Sequence, residues 1–115
     1  MAYRPGDIVV TLFPFADQAL AKERPAVVCA GPWVVSDTIE ICWVAMITTT
    51  ELKGWRGDIE VPDIRAVGLP VPSIIRTLKI ACIDTGAITK KLGSLDTETQ
   101  HGVQDQIRAH LSAFP

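Results

Sequence analysis

Residues 6–30 read GDIVVTLFPFADQALAKERPAVVCA, and this stretch decides the fold. Asp7 to Phe13 is rich in β-branched and aromatic residues and follows Pro5-Gly6, the composition of a strand that begins after a turn. Pro25 to Ala30 repeats that composition and stops at Gly31-Pro32, which reads as a second strand with a breaker behind it. Two proline pairs, Phe13-Pro14 and Arg24-Pro25, bracket a connection with no strand pattern. It is longer than a tight hairpin needs, and long loops in compact domains are commonly functional. Phe13 and Phe15 stand at its start, Lys22 and Arg24 at its end. Pro25 lacks a backbone donor and holds Arg24 in extended backbone.

Outward from this pair, Ile39 to Thr48 is the longest strand. One face carries Ile39, Ile41, Trp43, Ala45 and Ile47, and the other Glu40, Cys42, Val44, Met46 and Thr48. Both faces are apolar beyond Glu40, the mark of a central strand or of one covered by a partner. Asp58 to Val61 reads as a short strand, and Pro62 to Pro72 as a loop with at most an edge piece. Ser73 to Asp84 returns to strand pattern, as two short strands or one long bent one, and ends in the turn Asp84-Thr85-Gly86. Lys90-Lys91 reads as a solvated turn or, with Arg76, as an extension of a phosphate track. Asp96 suits a helix N-cap, Glu98 favours the positive end of the helix dipole, and Val103, Ile107, Leu111 and Phe114 form one apolar stripe behind them. About five to seven short strands and one C-terminal helix make a small, mainly β barrel, a single domain over residues 1–115.

With 115 residues and 48% apolar content, the chain has room for one modest core, burying about two-thirds of its unfolded surface. A second subunit would add to it. Charged residues are 21% of the chain and the net charge is −2, which argues against a binder that holds nucleic acid by bulk charge alone. A local positive cleft needs only a few cations and is compatible with that balance. Cys29, Cys42 and Cys82 are odd in number and widely spaced, with no CxxC and no Cys/His cluster. They indicate neither zinc nor a disulfide framework and read as reduced core thiols in a reducing compartment. The N-terminus MAYRPGD has no signal-peptide core, and no apolar run approaches the ~20 residues that span a bilayer. The expectation is a soluble cytoplasmic protein.

A guanidinium held beside aromatic rings, with the hydroxyls of Thr48, Thr49 and Thr50, suits a phosphate and its neighbouring bases. Phe13 is read as core and Phe15 as the ring available for stacking. Trp33 and Trp55 lie in loop-like contexts fit to line a groove or a dimer face, whereas Trp43 is read as core or interface. By alternation Arg76 shares a face with Ile74, Leu78 and Ile80, where a guanidinium is costly unless paired or at a rim. An ion pair, a snorkelled edge position and an RNA contact all satisfy that requirement. His101 and His110 fall on the helix without a partner constellation and are read as non-catalytic.

GDIVVTLFPF, RPAVV, MITTT, PSIIRTLKIACID and KKLGSLD, in this order, resemble the MazF/PemK family of bacterial toxins, from about Gly6 to Leu95. The resemblance implies an SH3-like barrel with a C-terminal helix, a homodimer, and a metal-independent endoribonuclease without cofactor that cuts single-stranded RNA at short motifs. It also implies a cognate antitoxin that blocks the groove. Carried over motif by motif, the active arginine falls on Arg24 and the active threonine on Thr48. A second arginine of some members points to Arg76. Phe15, Lys22 and Thr49 complete the expected RNA contacts. Some members carry an acidic residue and a glycine in the first loop, where this chain has Gln18-Ala19-Leu20-Ala21-Lys22, and an aspartate where this chain has Leu78. Those departures leave the general acid and base unassigned, with Asp17 and Glu23 the nearest acids.

Two other readings keep the fold without the chemistry. One is a member that binds RNA or an antitoxin without turnover. The other is a toxin of the related type that poisons DNA gyrase through its C-terminal helix. That mode relies on a helix-end tryptophan and small residues, while this chain ends Ala113-Phe114-Pro115.

Overall fold

Ile8 and Val9 are neighbours that point to opposite faces of one strand, and neither has any exposed surface. A sheet that buries both faces must be covered twice, and the computed structural model, which describes residues 3–12 and 22–112, shows how. Among the described residues six strands form one antiparallel sheet: β1 Asp7–Leu12, β2 Glu23–Ser36, β3 Ile39–Thr49, β4 Asp58–Glu60, β5 Ser73–Asp84 and β6 Ile88–Ser94. Their order across the sheet is β4-β5-β3-β2-β1-β6. The helix α1, Thr97–Ser112, follows. Ile8, Val27, Ala45, Ile47 and Ile75 form the first core, roofed by Val61, Val67 and Leu69 of the β4–β5 connection, by Leu95, and by Val103 of α1. The second core, Val9, Ala26, Val28, Cys42, Val44, Ala81, Ile83 and Ile88, consists of strand residues alone, with Tyr3 and Met46 at its margin. The sheet coils over its own face there. This is the mainly β, barrel-like architecture with a C-terminal helix that the strand pattern implies.

The elements follow from local chemistry, with instructive exceptions. Asp96 caps α1 as expected, its carboxylate accepting from the Thr99 amide (3.0 Å) and the Thr99 hydroxyl (2.6 Å). Along the expected apolar stripe Val103 is buried, but Leu111 is 68% exposed. β2 does not stop at Ala30. Gly31 takes φ +88°, the register against β3 shifts between Ala30 and Trp33, and pairing resumes at Trp33↔Ile41. A bulge thus absorbs the Gly-Pro pair that reads as a terminator in isolation. Lys90 and Lys91 lie on β6 rather than in a turn, and Lys91 reaches the buried Asp7 (3.3 Å), which also accepts from Ser94 (2.9 Å) and stitches β1 to β6.

The three thiols divide. Burial, reinforced by the neighbouring Cys42, pushes Cys29 up to about 12, and its Sγ donates to the Trp43 carbonyl (3.3 Å). Burial and the nearby Cys82 push Cys42 up to about 11. Cys82 is exposed, because Ala81 and Ile83 take the inward positions on either side of it. Its reading as a core thiol is corrected accordingly. An alkylating reagent at pH 8 should modify Cys82 in the native protein and leave Cys29 and Cys42 untouched until denaturant is added, as mass spectrometry would show. Among the described residues no helix is long and apolar enough to cross a membrane.

Candidate functional site

The β2–β3 ladder pairs Val28↔Val44, Val27↔Ala45 and Ala26↔Met46. The ladder ends at Ala26↔Met46; Arg24 and Thr48 lie two residues beyond that pair, one on each strand, and by alternation on its face of the sheet. Thr48 in turn pairs with Ile74, and Arg24 pairs with Thr11 on its other side. One row back, Ala26, Met46, Arg76 and Asp58 stand side by side on four consecutive strands. Residues two apart on a strand share a face and lie ~6.5–7 Å apart. Arg24, Thr48 and Arg76 therefore occupy two neighbouring rows of one sheet face.

Their surroundings differ. Arg24 is exposed and Thr48 half-buried. Among the described residues the Arg24 guanidinium has no hydrogen-bond or ion-pair partner. Lys22, immediately ahead of β2, is exposed as well. Thr49 turns to the opposite face by alternation, where it lines a cavity of about 330 Å³ with Thr50, Glu51, Val71 and Pro72. The fold does not bring it to Thr48's side. Phe15 and Asp17 lie outside the described residues, while Glu23 is exposed beside Arg24.

Arg76 is only 6% exposed, and its guanidinium is committed inward. Nε donates to Asp58 Oδ1 (3.2 Å), and Nη2 donates to Asp58 Oδ2 (2.9 Å) and to the Leu52 carbonyl (2.6 Å). Asp58 Oδ2 also accepts from the amides of Gly54 (3.1 Å) and Trp55 (3.0 Å). One carboxylate and one guanidinium thus hold the connection between β3 and β4 from both ends. Burial alone would push the Asp58 carboxyl up. The hydrogen bonds from Arg76, Trp55 and Gly54, together with the Arg76 charge, outweigh it and hold the carboxyl below its ordinary 3.8. Of the three settings open to Arg76 in the sequence, the structure supplies the ion pair.

The cause lies in β5. Its register against β3 jumps from Ala45↔Ile80 to Met46↔Arg76, so Thr77, Leu78 and Lys79 have no counterparts. Simple alternation fails across this bulge: Arg76 is buried while Leu78 is 47% exposed. Sequence reasoning also missed what holds the bulge. The buried Thr77 hydroxyl donates to the Gly57 carbonyl (2.8 Å) and lies 2.9 Å from His110 Nε2. With its proton given to Gly57, the Thr77 hydroxyl oxygen is free to accept from an N–H at His110 Nε2. Gly57 sits at φ +81°, where an added Cβ would collide with both Thr77 and His110. His110 thus has a structural partner that its place on the helix does not disclose.

Charge separates this face from a large cleft elsewhere on the molecule. A cleft of about 730 Å³ beside the start of α1 is bordered by Glu60, Asp63, Asp96 and Glu98, a setting that repels phosphate. No group of three or more His, Cys, Asp and Glu side chains gathers in metal-ligating fashion among the described residues.

Comparison with known proteins identifies the family and the fold. Residues 4–111 match the family described as PemK-like, MazF-like toxin of type II toxin-antitoxin system. No curated protein sequence matches. Among solved structures, the Mycobacterium tuberculosis toxin MazF-mt6 superposes with a TM-score of 0.66 at 21% identity, covering 97% of this chain and 100% of that one. MazF from Deinococcus radiodurans gives 0.75 at 17% identity, over 98% and 99% of the two chains. A mycobacterial endoribonuclease solved in complex with its cognate antitoxin gives 0.73 at 12% identity, over 99% and 100%. At these identities the likenesses establish a shared fold.

Proposed function

The chain belongs to the PemK-like, MazF-like toxin family of type II toxin–antitoxin systems, and on that premise we propose that it is a metal-independent endoribonuclease acting on single-stranded RNA. What supports this reading is that Arg24, without a partner among the described residues, and Thr48 share one sheet face, each two residues beyond the Ala26↔Met46 pair. In the reaction, the 2′-oxygen of a nucleotide attacks the adjacent phosphorus. The new 2′-O–P bond forms as the bond to the 5′-oxygen breaks, leaving a 2′,3′-cyclic phosphate and a 5′-hydroxyl. One proton leaves the 2′-hydroxyl and one reaches the departing 5′-oxygen.

Arg24 stabilises the negative charge that concentrates on the phosphate. With a pKa above ~12 it keeps its proton and does not serve as the base. Thr48 hydrogen-bonds the same phosphate or orients the 2′-hydroxyl. Lys22 meets a flanking phosphate and Phe15 stacks on a base, while Arg76 contributes by holding the β3–β4 connection against the site. Thr49, on the opposite face, contributes through the backbone it shares with Thr48. Control by an antitoxin and assembly as a homodimer complete the reading. The fold shared with an endoribonuclease solved with its antitoxin supports the first, and the exposed Trp33, Ile39 and Trp43 of the β2–β3 hairpin support the second.

Incubating the protein with a long RNA in excess EDTA and mapping the new ends tests the activity. Cleavage that persists in EDTA and leaves 5′-hydroxyl and cyclic-phosphate ends is expected. Absence of cleavage, or cleavage only after a divalent metal is restored, would remove the nuclease reading.

A further inference from the structure

The connection between β3 and β4 carries a ring that the proposed chemistry does not use. Trp55 is 48% exposed although its backbone is tied down, its amide donating to Asp58 (3.0 Å). The Arg76 guanidinium carbon lies 4.2 Å from the centroid of its indole. That cation is itself held by the Asp58 carboxylate and the Leu52 carbonyl. The guanidinium lies over the ring, and nearly half of the residue stays open to solvent. An exposed tryptophan normally loses conformational freedom when it takes up a ligand; this one is already held in place, on a support that is almost fully buried.

Its position is as informative as its rigidity. Arg76 stands one row from Thr48 on the same sheet face, and Trp55 lies against Arg76. The connection also supplies positive charge, with Lys53 and Arg56 exposed on either side of Trp55 and Lys79 Nζ 5.9 Å from its ring. Asp58, the carboxylate nearest in sequence, is occupied by Arg76. A fixed aromatic plane flanked by cations is the combination that takes an unpaired nucleobase and its neighbouring phosphates. An acidic peptide would use the cations but has no need of the plane.

We infer that Trp55 is a base-stacking platform that binds a nucleotide of the single-stranded RNA next to the scissile phosphate, and that Arg76 and Asp58 are its positioning residues. The inference rests on the nuclease reading for the location of the scissile phosphate; the stacking itself does not depend on turnover. It also makes Trp55 a determinant of which sequences are bound, since rings differ in how well they stack.

The test uses the full chain and a ten-nucleotide 2′-O-methyl RNA of mixed sequence, which cannot be cut. Tryptophan emission and affinity are measured for the wild type, Trp55→Phe and Trp55→Ala, beside an abasic strand of equal length and the EDTA cleavage assay. Quenching in the wild type that is absent in both variants is the expected result. So is affinity that falls about 5- to 100-fold in Trp55→Ala and by less in Trp55→Phe. Trp55→Phe keeps a ring over Arg76, so it separates stacking from simple loss of fold, and a melting curve for each variant checks this directly. Unchanged affinity in a folded Trp55→Ala would overturn the platform even where RNA cleavage is intact. Equal binding of the abasic strand would also overturn it, and would leave the cations as a site for a polyanion such as an acidic peptide. Quenching by the base-bearing strand alone, in a protein that cuts no RNA, would uphold the platform and remove only the nuclease reading.

Discussion

Replacing Arg24 by alanine is expected to lower the rate of RNA cleavage by about 100- to 1,000-fold, the loss associated with removing one preorganised donor to a developing anion. The reason is visible in the fold. Arg24 is exposed, has no partner among the described residues, and shares a sheet face with Thr48 just beyond the end of the β2–β3 ladder. Its charge is therefore not engaged in a structural ion pair with them, and its removal leaves no buried anion behind. Thermal stability of Arg24→Ala should accordingly stay close to that of the wild type while activity collapses. Arg24→Lys keeps the charge but loses the planar fork, and intermediate activity is expected. Cleavage of a fluorogenic RNA with a melting curve on the same samples checks both statements. Full activity in Arg24→Ala would show that the phosphate pocket lies elsewhere.

Asp58→Ala should behave in the opposite way, with a large loss of stability. It strands the guanidinium of Arg76, a residue only 6% exposed, without its carboxylate, and it releases the amides of Gly54 and Trp55. Breaking one side of a buried pair costs about 3–5 kcal/mol. Against a typical total of roughly 5–15 kcal/mol, that is a large share. A double variant that replaces both partners by apolar residues, Asp58→Leu with Arg76→Met, should recover much of the loss, because no buried charge then lacks a partner. Calorimetry or circular dichroism would read the difference, and an unchanged melting temperature in Asp58→Ala would refute the role given to the pair.

The same carboxylate sets a pH dependence. Its folded pKa lies below the ordinary 3.8, so between the two values the unfolded chain binds more protons than the folded one. The contribution of Asp58 is thus fully present above 3.8 and is lost as pH falls through the lower, folded value. Acid melts of the wild type should show this decline, and Asp58→Asn should show less of it.

Much of this molecule was legible in one dimension. Runs rich in β-branched and aromatic residues located β1 and the first part of β2, a long stretch apolar on both faces located β3, and an aspartate before an apolar stripe located the start of α1. The ERPAVV stretch singled out Arg24 because proline governs the residue before it. These are short-range effects, complete within a few residues, so the amino-acid order by itself determined them. The ordered motifs likewise pointed to the family that residues 4–111 match.

The tertiary structure decided whatever depends on which strand lies beside which. Gly31-Pro32 reads as a stop, yet pairing with β3 carries β2 past it to Ser36, because resumed ladder hydrogen bonds outweigh one local bulge. Arg76 reads as one member of an alternating row, yet the unmatched residues Thr77 to Lys79 reset that row and deliver it to Asp58 and Trp55. His110 meets Thr77 only because α1 packs where the bulge opens. Register and long-range ion pairs arise from competition among contacts distant in the chain, and no local pattern records the outcome of that competition.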